Sequence, residues 1–319
     1  MLKEHALDAM KDLYLDNLDL YPRTVKAYES NINQYILYLK RNHIKEPKRS
    51  NIIKYKRYML NQKLSYRTVR KRVIVLKNFY KWLRISVREF GLDEKYLYDI
   101  CEGIRNESDN TSFAKEPLTL KEAQFLATTA KERATNIVGK RNYCIVLLMI
   151  TTGLRVIEIS RALKSDLRIY RGLEVLYIHG KGRHVKEEFV KVSKEVKLVI
   201  DEYLFLRSDT NPYLFTNYHN YKHSDQLSPY AIEHAIKKLL VDTKLYSKKI
   251  TPHSLRHTCA VLNLESGGTI QSTQMLLRHR NISTTLIYAH NIFRITDQSV
   301  ERISGNLFKG VKEDDKEYK

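Results

Sequence analysis

A short polar stretch, ESDNTSFAKEP at residues 107–117, is poor in large apolar side chains and ends on a proline. Such a segment cannot cross a core, so it divides the chain into two parts that must each bury apolar surface of their own. A length of 319 residues fits two domains of ordinary size. The expected boundaries are a helical domain over 1–106, a linker over 107–117, a second domain over 118–290 and a tail over 291–319.

Before the break the pattern is helical throughout. Val25, Tyr28, Ile32, Tyr35, Ile36 and Leu39 recur at helical spacing after Tyr21-Pro22-Arg23, with Thr24 as the expected N-cap. A second helix is expected over Tyr66–Arg84. Val69, Val73, Leu76, Phe79, Tyr80 and Leu83 make its apolar face, while Arg67, Arg70, Lys71, Lys77 and Lys81 fall largely on another. Solvation accounts for any one of these cations, but a face without compensating acids suits a phosphate backbone. The whole chain repeats the imbalance: 56 Lys and Arg against 36 Asp and Glu leave a net charge of +20. A polyanion is the partner such a charge selects, which points to nucleic acid. An anionic membrane is the competing partner. No apolar run reaches the roughly 20 residues needed to span a bilayer, and the start MLKEHALDAM has no signal-peptide core, so a cytoplasmic protein without membrane association is expected.

After the break, helices are expected near Thr119–Lys131, Asn142–Thr152, Lys194–Arg207, Ser228–Leu240, His253–Glu265 and Ile270–Leu277, with Gly267-Gly268 as a stop. Between them the period changes. Glu174–His179 and Val185–Val190 read as two strands joined by a hairpin at Gly180-Lys181-Gly182-Arg183. Neither metal nor cofactor is expected. Cys101, Cys144 and Cys259 form no CxxC pair and read as reduced core residues. The pairs His253/His257 and His219/His223 have zinc-like spacing but lack the Glu of HExxH and an obvious third ligand. Gly180-Lys181-Gly182 lacks the upstream glycine and the following Ser or Thr of a P-loop.

Four stretches of the second part supply a cation or a nucleophile from separate places in the chain. They are Thr152-Gly153-Leu154-Arg155-Val156-Ile157-Glu158, Gly180-Lys181-Gly182, His253-Ser254-Leu255-Arg256-His257, and Leu277-Arg278-His279 followed by Thr284-Thr285-Leu286-Ile287-Tyr288. Taken singly, Arg155 is an ordinary surface or capping arginine, Lys181 a turn lysine and Tyr288 one of 22 tyrosines. Taken together and in this order, they resemble the tyrosine recombinase family, which includes the phage integrases and the Xer proteins. His253 precedes Arg256 by three residues and His279 precedes Tyr288 by nine, as that family requires. The resemblance is close from about Thr119 to Tyr288 and rests on helical pattern and length before that.

The resemblance implies a metal- and ATP-independent DNA strand transferase. Tyr288 is the implied nucleophile, forming a 3′-phosphotyrosyl link. Arg155 and Arg256 would hold the phosphate, whose extra negative charge in the transition state favours preorganised planar cations. His253 and His279 would add donors and move a proton, Lys181 would protonate the leaving 5′ oxygen, and Glu158 and His257 would support the site. The implied fold is mainly α: a helical, SAM-like core-binding domain followed by a mostly helical catalytic domain with a small antiparallel sheet, closing on duplex DNA. The implied partner is double-stranded DNA with inverted-repeat core sites, bound by a homotetramer that is monomeric when free, with accessory proteins as further partners. The work implied is integration or excision of a mobile element, or resolution of DNA multimers. A type IB topoisomerase-like enzyme cutting alone and a non-catalytic DNA-binding regulator are the alternatives. The tail, with Ile292, Phe293, Ile295, Val300, Ile303 and Leu307, would dock on a neighbouring protomer or pack on its own domain. One departure from the family pattern is Arg278, where glycine is usual; either the local turn differs or the arginine adds a phosphate contact.

Overall fold

The computed structural model describes residues 6–106, 116–179, 188–218, 226–247, 249–279, 281–282, 286 and 298–308. It divides into two compact units, Met1–Ser112 and Phe113–Lys319.

The first unit is built from helices α1 (Ala6–Asp16), α2 (Pro22–Arg41), α3 (Arg49–Asn61) and α4 (Tyr66–Phe90), with a 3₁₀ turn at Glu94–Leu97. Helix α2 begins earlier than the sequence suggests. Pro22 stands in its first turn, where a missing N–H costs nothing, and Tyr21 is the N-cap. Thr24 therefore lies inside the first turn, its N–H donating to the Tyr21 carbonyl at 2.7 Å. Helix α4 starts at the expected residue because Ser65 Oγ accepts from Thr68 N at 3.2 Å. It runs on to Phe90, past the expected end at Arg84, and stops at Gly91, whose φ of 60° is the left-handed conformation that ends a helix. Val69, Val73, Leu76, Phe79, Tyr80 and Leu83 are buried on the face predicted for them. Each large apolar side chain so placed contributes about 1.5–3 kcal/mol. They meet a core rich in tyrosine: the Tyr35 and Tyr55 rings lie 5.1 Å apart and those of Tyr38 and Tyr55 4.9 Å. Trp82 packs 5.3 Å from Tyr14 and 5.7 Å from Phe90. Much of the high tyrosine content is thus core material.

The second unit contains α5 (Leu120–Glu132), α6 (Ile137–Thr152), α7 (Val156–Arg161), α8 (Lys194–Phe205), α9 (Pro229–Asp242), α10 (Ser254–Glu265), α11 (Ile270–Leu277) and α12 (Ser299–Phe308). Its chain is tied down before α5. Glu116 pairs with Lys249 at 2.5 Å, and Leu118 is buried with its N–H on Thr258 Oγ1. Thr119 and Glu122 then cap α5 reciprocally, side chain to backbone in both directions. Helix α6 starts at Ile137, earlier than the expected Asn142, because Asn136 caps it through Gly139 N at 2.9 Å. Lys140 and Arg141 interrupt the apolar pattern there and hide the first turns.

The sheet has three antiparallel strands in the order β1 (Leu167–Tyr170), β2 (Leu173–Ile178) and β3 (Glu188–Lys191). Strands β2 and β3 pair with Ile178 opposite Glu188 and Val175 opposite Lys191. The expected hairpin tip, Gly180-Lys181-Gly182-Arg183, lies outside the described residues. Strand β1 is additional. It joins β2 through Arg171-Gly172, both at positive φ, 50° and 76°, as a two-residue hairpin turn of the primed kind requires. An arginine in the first position is not a turn signal, so the strand before it was not recognisable.

Among the described residues no helix is long and apolar enough to cross a membrane. Helix α12 has no buried residue: Val300, Ile303, Leu307 and Phe308 are all more than half exposed.

Candidate active site

Three segments of the second unit meet at the C-terminal ends of α6 and α11. Helix α6 ends at Gly153, whose φ is 62°, and the chain turns at once into α7. The turn is tight because the backbone of Gly153 faces Leu277 and Cys259; a Cβ there would run into the Leu277 side chain. Arg155 becomes the N-cap of α7, and Glu158 occupies the third helical position. That spacing lets the carboxylate reach back. Glu158 Oε2 accepts from Arg155 N at 2.8 Å and Oε1 accepts from Arg155 Nη1 at 2.8 Å.

Arg256 enters from the first turn of α10. It is buried, and its Nη1 and Nη2 donate to the carbonyls of Gly153 and Leu277. One guanidinium therefore ties the segment that carries Arg155 to the segment that carries His279. On the same helix, His253 at the N-cap and His257 one turn later face each other edge to face, ring centroids 4.8 Å apart. His253 is exposed and His257 half-buried.

Arg278 ends α11 in the left-handed conformation, φ 54° and ψ 46°. The turn is therefore the one glycine would make, at a cost of about 1–2 kcal/mol for a residue with a Cβ. The alternative of an extra phosphate contact is corrected: the side chain is 7% exposed and turns inward, with Nη2 on Glu158 Oε2 at 2.9 Å. Its Nη1 donates to the Leu276 carbonyl at 2.8 Å. His279 follows, held by a reciprocal bond with Gln274: His279 N donates to the Gln274 carbonyl and Gln274 Nε2 to the His279 carbonyl.

The charges are unequal. Two guanidiniums, those of Arg155 and Arg278, pair with one carboxylate, while that of Arg256 donates to the backbone carbonyls of Gly153 and Leu277. Burial pushes Glu158 toward neutrality, but Arg278, the bond from Arg155 N and the Arg155 charge together hold it below the ordinary carboxylate range. Burial, then the charges of Arg256, Arg155 and Arg278, lower the pKa of His279 to about 4. At neutral pH its imidazole is neutral and can take or give a single proton. Arg155 alone of these arginines keeps a substantial open surface, 36% of its side chain. A cationic site with one accessible fork and a neutral imidazole beside it is built for an anion with several oxygens, and phosphate is the natural fit.

Of the residues expected from the sequence, the structure brings together Arg155, Glu158, Arg256 and His279, with His253 and His257 on the helix that carries Arg256. Lys181 and Tyr288 lie outside the described residues, as do His219 and His223. No group of three or more His, Cys, Asp or Glu side chains among the described residues is placed to hold a metal ion. The three cysteines are buried thiols, and burial pushes Cys144 and Cys259 up to about 12. In the first unit, Arg67, Arg70, Lys71 and Lys81 stand exposed on the outward face of α4, continued by Arg88 on the added turn. Lys77 differs. It is half-buried and its ammonium donates to the Ile104 carbonyl, which leaves it less to offer an external phosphate.

Comparison with known proteins gives the same reading. Residues 116–294 match the Phage integrase family, and residues 8–85 match the Phage integrase N-terminal SAM-like domain. The chain belongs to the phage integrase family of tyrosine recombinases. Tyrosine recombinase XerA of Pyrococcus furiosus is 31% identical over 231 residues, 71% of this chain and 77% of its own. Tyrosine recombinase XerD of Listeria innocua is 27% identical over 282 residues, covering 85% of this chain and 89% of its own. Among solved structures, XerH site-specific recombinase bound to palindromic difH substrate in a post-cleavage complex superposes with a TM-score of 0.68 at 18% identity, covering 89% of this chain and 79% of that one. The Tn1549 transposon integrase in complex with transposon right end DNA gives 0.67 at 16% identity, covering 93% and 98%. The mainly helical fold, with a SAM-like domain before a catalytic domain and its small antiparallel sheet, is thereby established.

Proposed function

We propose that this chain is a site-specific recombinase that cuts and rejoins duplex DNA through Tyr288. The observation that carries the reading is the convergence of Arg155, Arg256 and His279, from three separate segments, on one site with surplus positive charge. In-line attack by the Tyr288 hydroxyl oxygen on a backbone phosphorus forms a phosphotyrosyl bond to the 3′ side and breaks the bond to the 5′ oxygen. The leaving oxygen takes its proton from Lys181, and His279 or His253 accepts the tyrosine's. Arg155 and Arg256 balance the charge that builds on the non-bridging oxygens. Because the phosphodiester energy stays in the phosphotyrosyl bond, a 5′ hydroxyl from a second duplex reverses the step without metal or nucleotide. The tyrosines inside the two units are poor rivals for the nucleophile. Tyr14, Tyr35, Tyr55, Tyr80 and Tyr203 are enclosed in the two cores, out of reach of a DNA phosphate, and burial opposes their ionisation.

The proposed substrate is double-stranded DNA with inverted-repeat core sites, within the cytoplasm, serving movement of a mobile element or resolution of multimers. The exposed cations of α4 would meet phosphates. Four protomers would assemble on two sites, with accessory proteins directing the outcome. The uncovered apolar stripe of α12 fits docking on a neighbouring protomer better than packing on its own unit. A nicked suicide duplex tests the chemistry, using sites recovered from DNA trapped on the protein in cells. Wild-type protein is expected to form an SDS-stable adduct and Tyr288→Phe none. Absence of the wild-type adduct, or its presence in Tyr288→Phe, would overturn the mechanism. Relaxation of any supercoiled plasmid by single protomers would mark a type IB topoisomerase instead.

A further inference from the structure

We propose that Arg278 is a positioning residue for Arg155, acting through the carboxylate of Glu158 that the two arginines share. The inference rests on the proposed function, since it assigns a task within that site.

Arg278 has no backbone reason to be where it is. Its left-handed conformation is the one in which glycine is favoured and a Cβ is strained. Arginines ordinarily lay their stems on the surface and keep the charge in water. Here the side chain is 7% exposed and the guanidinium is turned into the protein, with Nε buried and unbonded among the described residues. What that orientation achieves is contact with Glu158.

Glu158 then has both oxygens engaged. Oε2 accepts from Arg278 Nη2 at 2.9 Å and from Arg155 N at 2.8 Å, while Oε1 accepts from Arg155 Nη1 at 2.8 Å. Arg155 and Glu158 are three residues apart on one turn, and within that turn the backbone N–H of Arg155 is the carboxylate's fixed anchor. Arg278 arrives from a different element. With Oε2 fixed from that side, rotation of the carboxylate breaks a buried charge-assisted bond, and Oε1 remains aimed at Arg155 Nη1. The accessible guanidinium is thereby oriented before any DNA binds. Because Arg278 directly precedes His279, the same contact also sets the distance between the arginine fork and the imidazole.

Arg278→Gly removes the side chain while keeping a residue suited to the backbone. Two measurements on the full chain decide the matter. The first is rotation of the Arg155 guanidinium about Nε–Cζ, read by arginine side-chain NMR on DNA-free protein. Slow rotation is expected in wild type and its loss in Arg278→Gly. The second is the single-turnover rate of adduct formation on the suicide duplex at saturating protein, below the unfolding temperature of both proteins. A fall of about 10- to 100-fold is expected, the scale of a misplaced catalytic group, with the DNA dissociation constant nearly unchanged. A merely structural arginine would lower the unfolding temperature and leave the saturated rate alone. Unchanged Arg155 rotation overturns the inference whatever the rate does. Faster rotation with an undiminished rate also overturns it. If wild type forms no adduct, the proposed function fails, and the NMR comparison alone then supports or rejects the positioning.

Discussion

A carboxylate that is 3% exposed stays ionised in Glu158 because three donors from two arginines meet its two oxygens. Removing it leaves the Arg278 guanidinium buried without the carboxylate that balances its charge, so Glu158→Ala should destabilise the protein by about 3–5 kcal/mol, measured by urea unfolding. His279 sets a pH window. Its pKa falls from 6.5 in the unfolded chain to about 4 in the fold, so between these values only the unfolded chain takes up the proton. Stability should therefore fall as pH drops from 6.5 toward 4, and Glu158, depressed below 4.5, adds a further loss below that value. Urea unfolding at about pH 7 and about pH 5 should show a smaller loss for His279→Asn than for wild type. At this scale the sequence was informative where spacing carries the chemistry, as in Arg155 with Glu158 or His253 with Arg256. It was silent where a contact joins distant segments. Nothing in Leu277-Arg278-His279 says that an arginine in a glycine position points inward, since its partner lies 120 residues away.

Helices were legible wherever a cap and an apolar face coincide. Thr119 with Glu122 and Ser65 before a long apolar stripe mark α5 and α4 plainly. Where polar residues fall in the first turns, as in α6, the pattern starts late. Strand β1 was lost for a different reason: it is short and mostly exposed, and its turn begins with arginine. The joint between α6 and α7 carries a prediction of its own. Gly153→Ala combines a positive φ with a collision against Leu277, and so should cost about 2–4 kcal/mol, the sum of left-handed strain and overpacking, in thermal or urea unfolding. Because Arg256 bonds the Gly153 carbonyl, the same substitution should slow adduct formation more than it weakens DNA binding.

The molecule as a whole is two compact units on one chain, Met1–Ser112 and Phe113–Lys319; the linker expected from the sequence runs over 107–117. Each core is closed by its own helices, so residues 113–319 expressed alone should retain a cooperative thermal transition, checked by circular dichroism. A charge of +20 implies wide phosphate contact. DNA affinity should fall by about 10³-fold or more between 50 mM and 200 mM salt if six or more phosphates are neutralised, measured by fluorescence anisotropy. Trp82 offers a way to watch the two cores separately. It is the chain's single tryptophan and sits between Tyr14 and Phe90 in the first unit. Indole emission therefore reports the melting of that unit alone, while far-ultraviolet ellipticity reports both. A gap between the two transitions would give the stability of each half from one unlabelled sample, without cutting the chain.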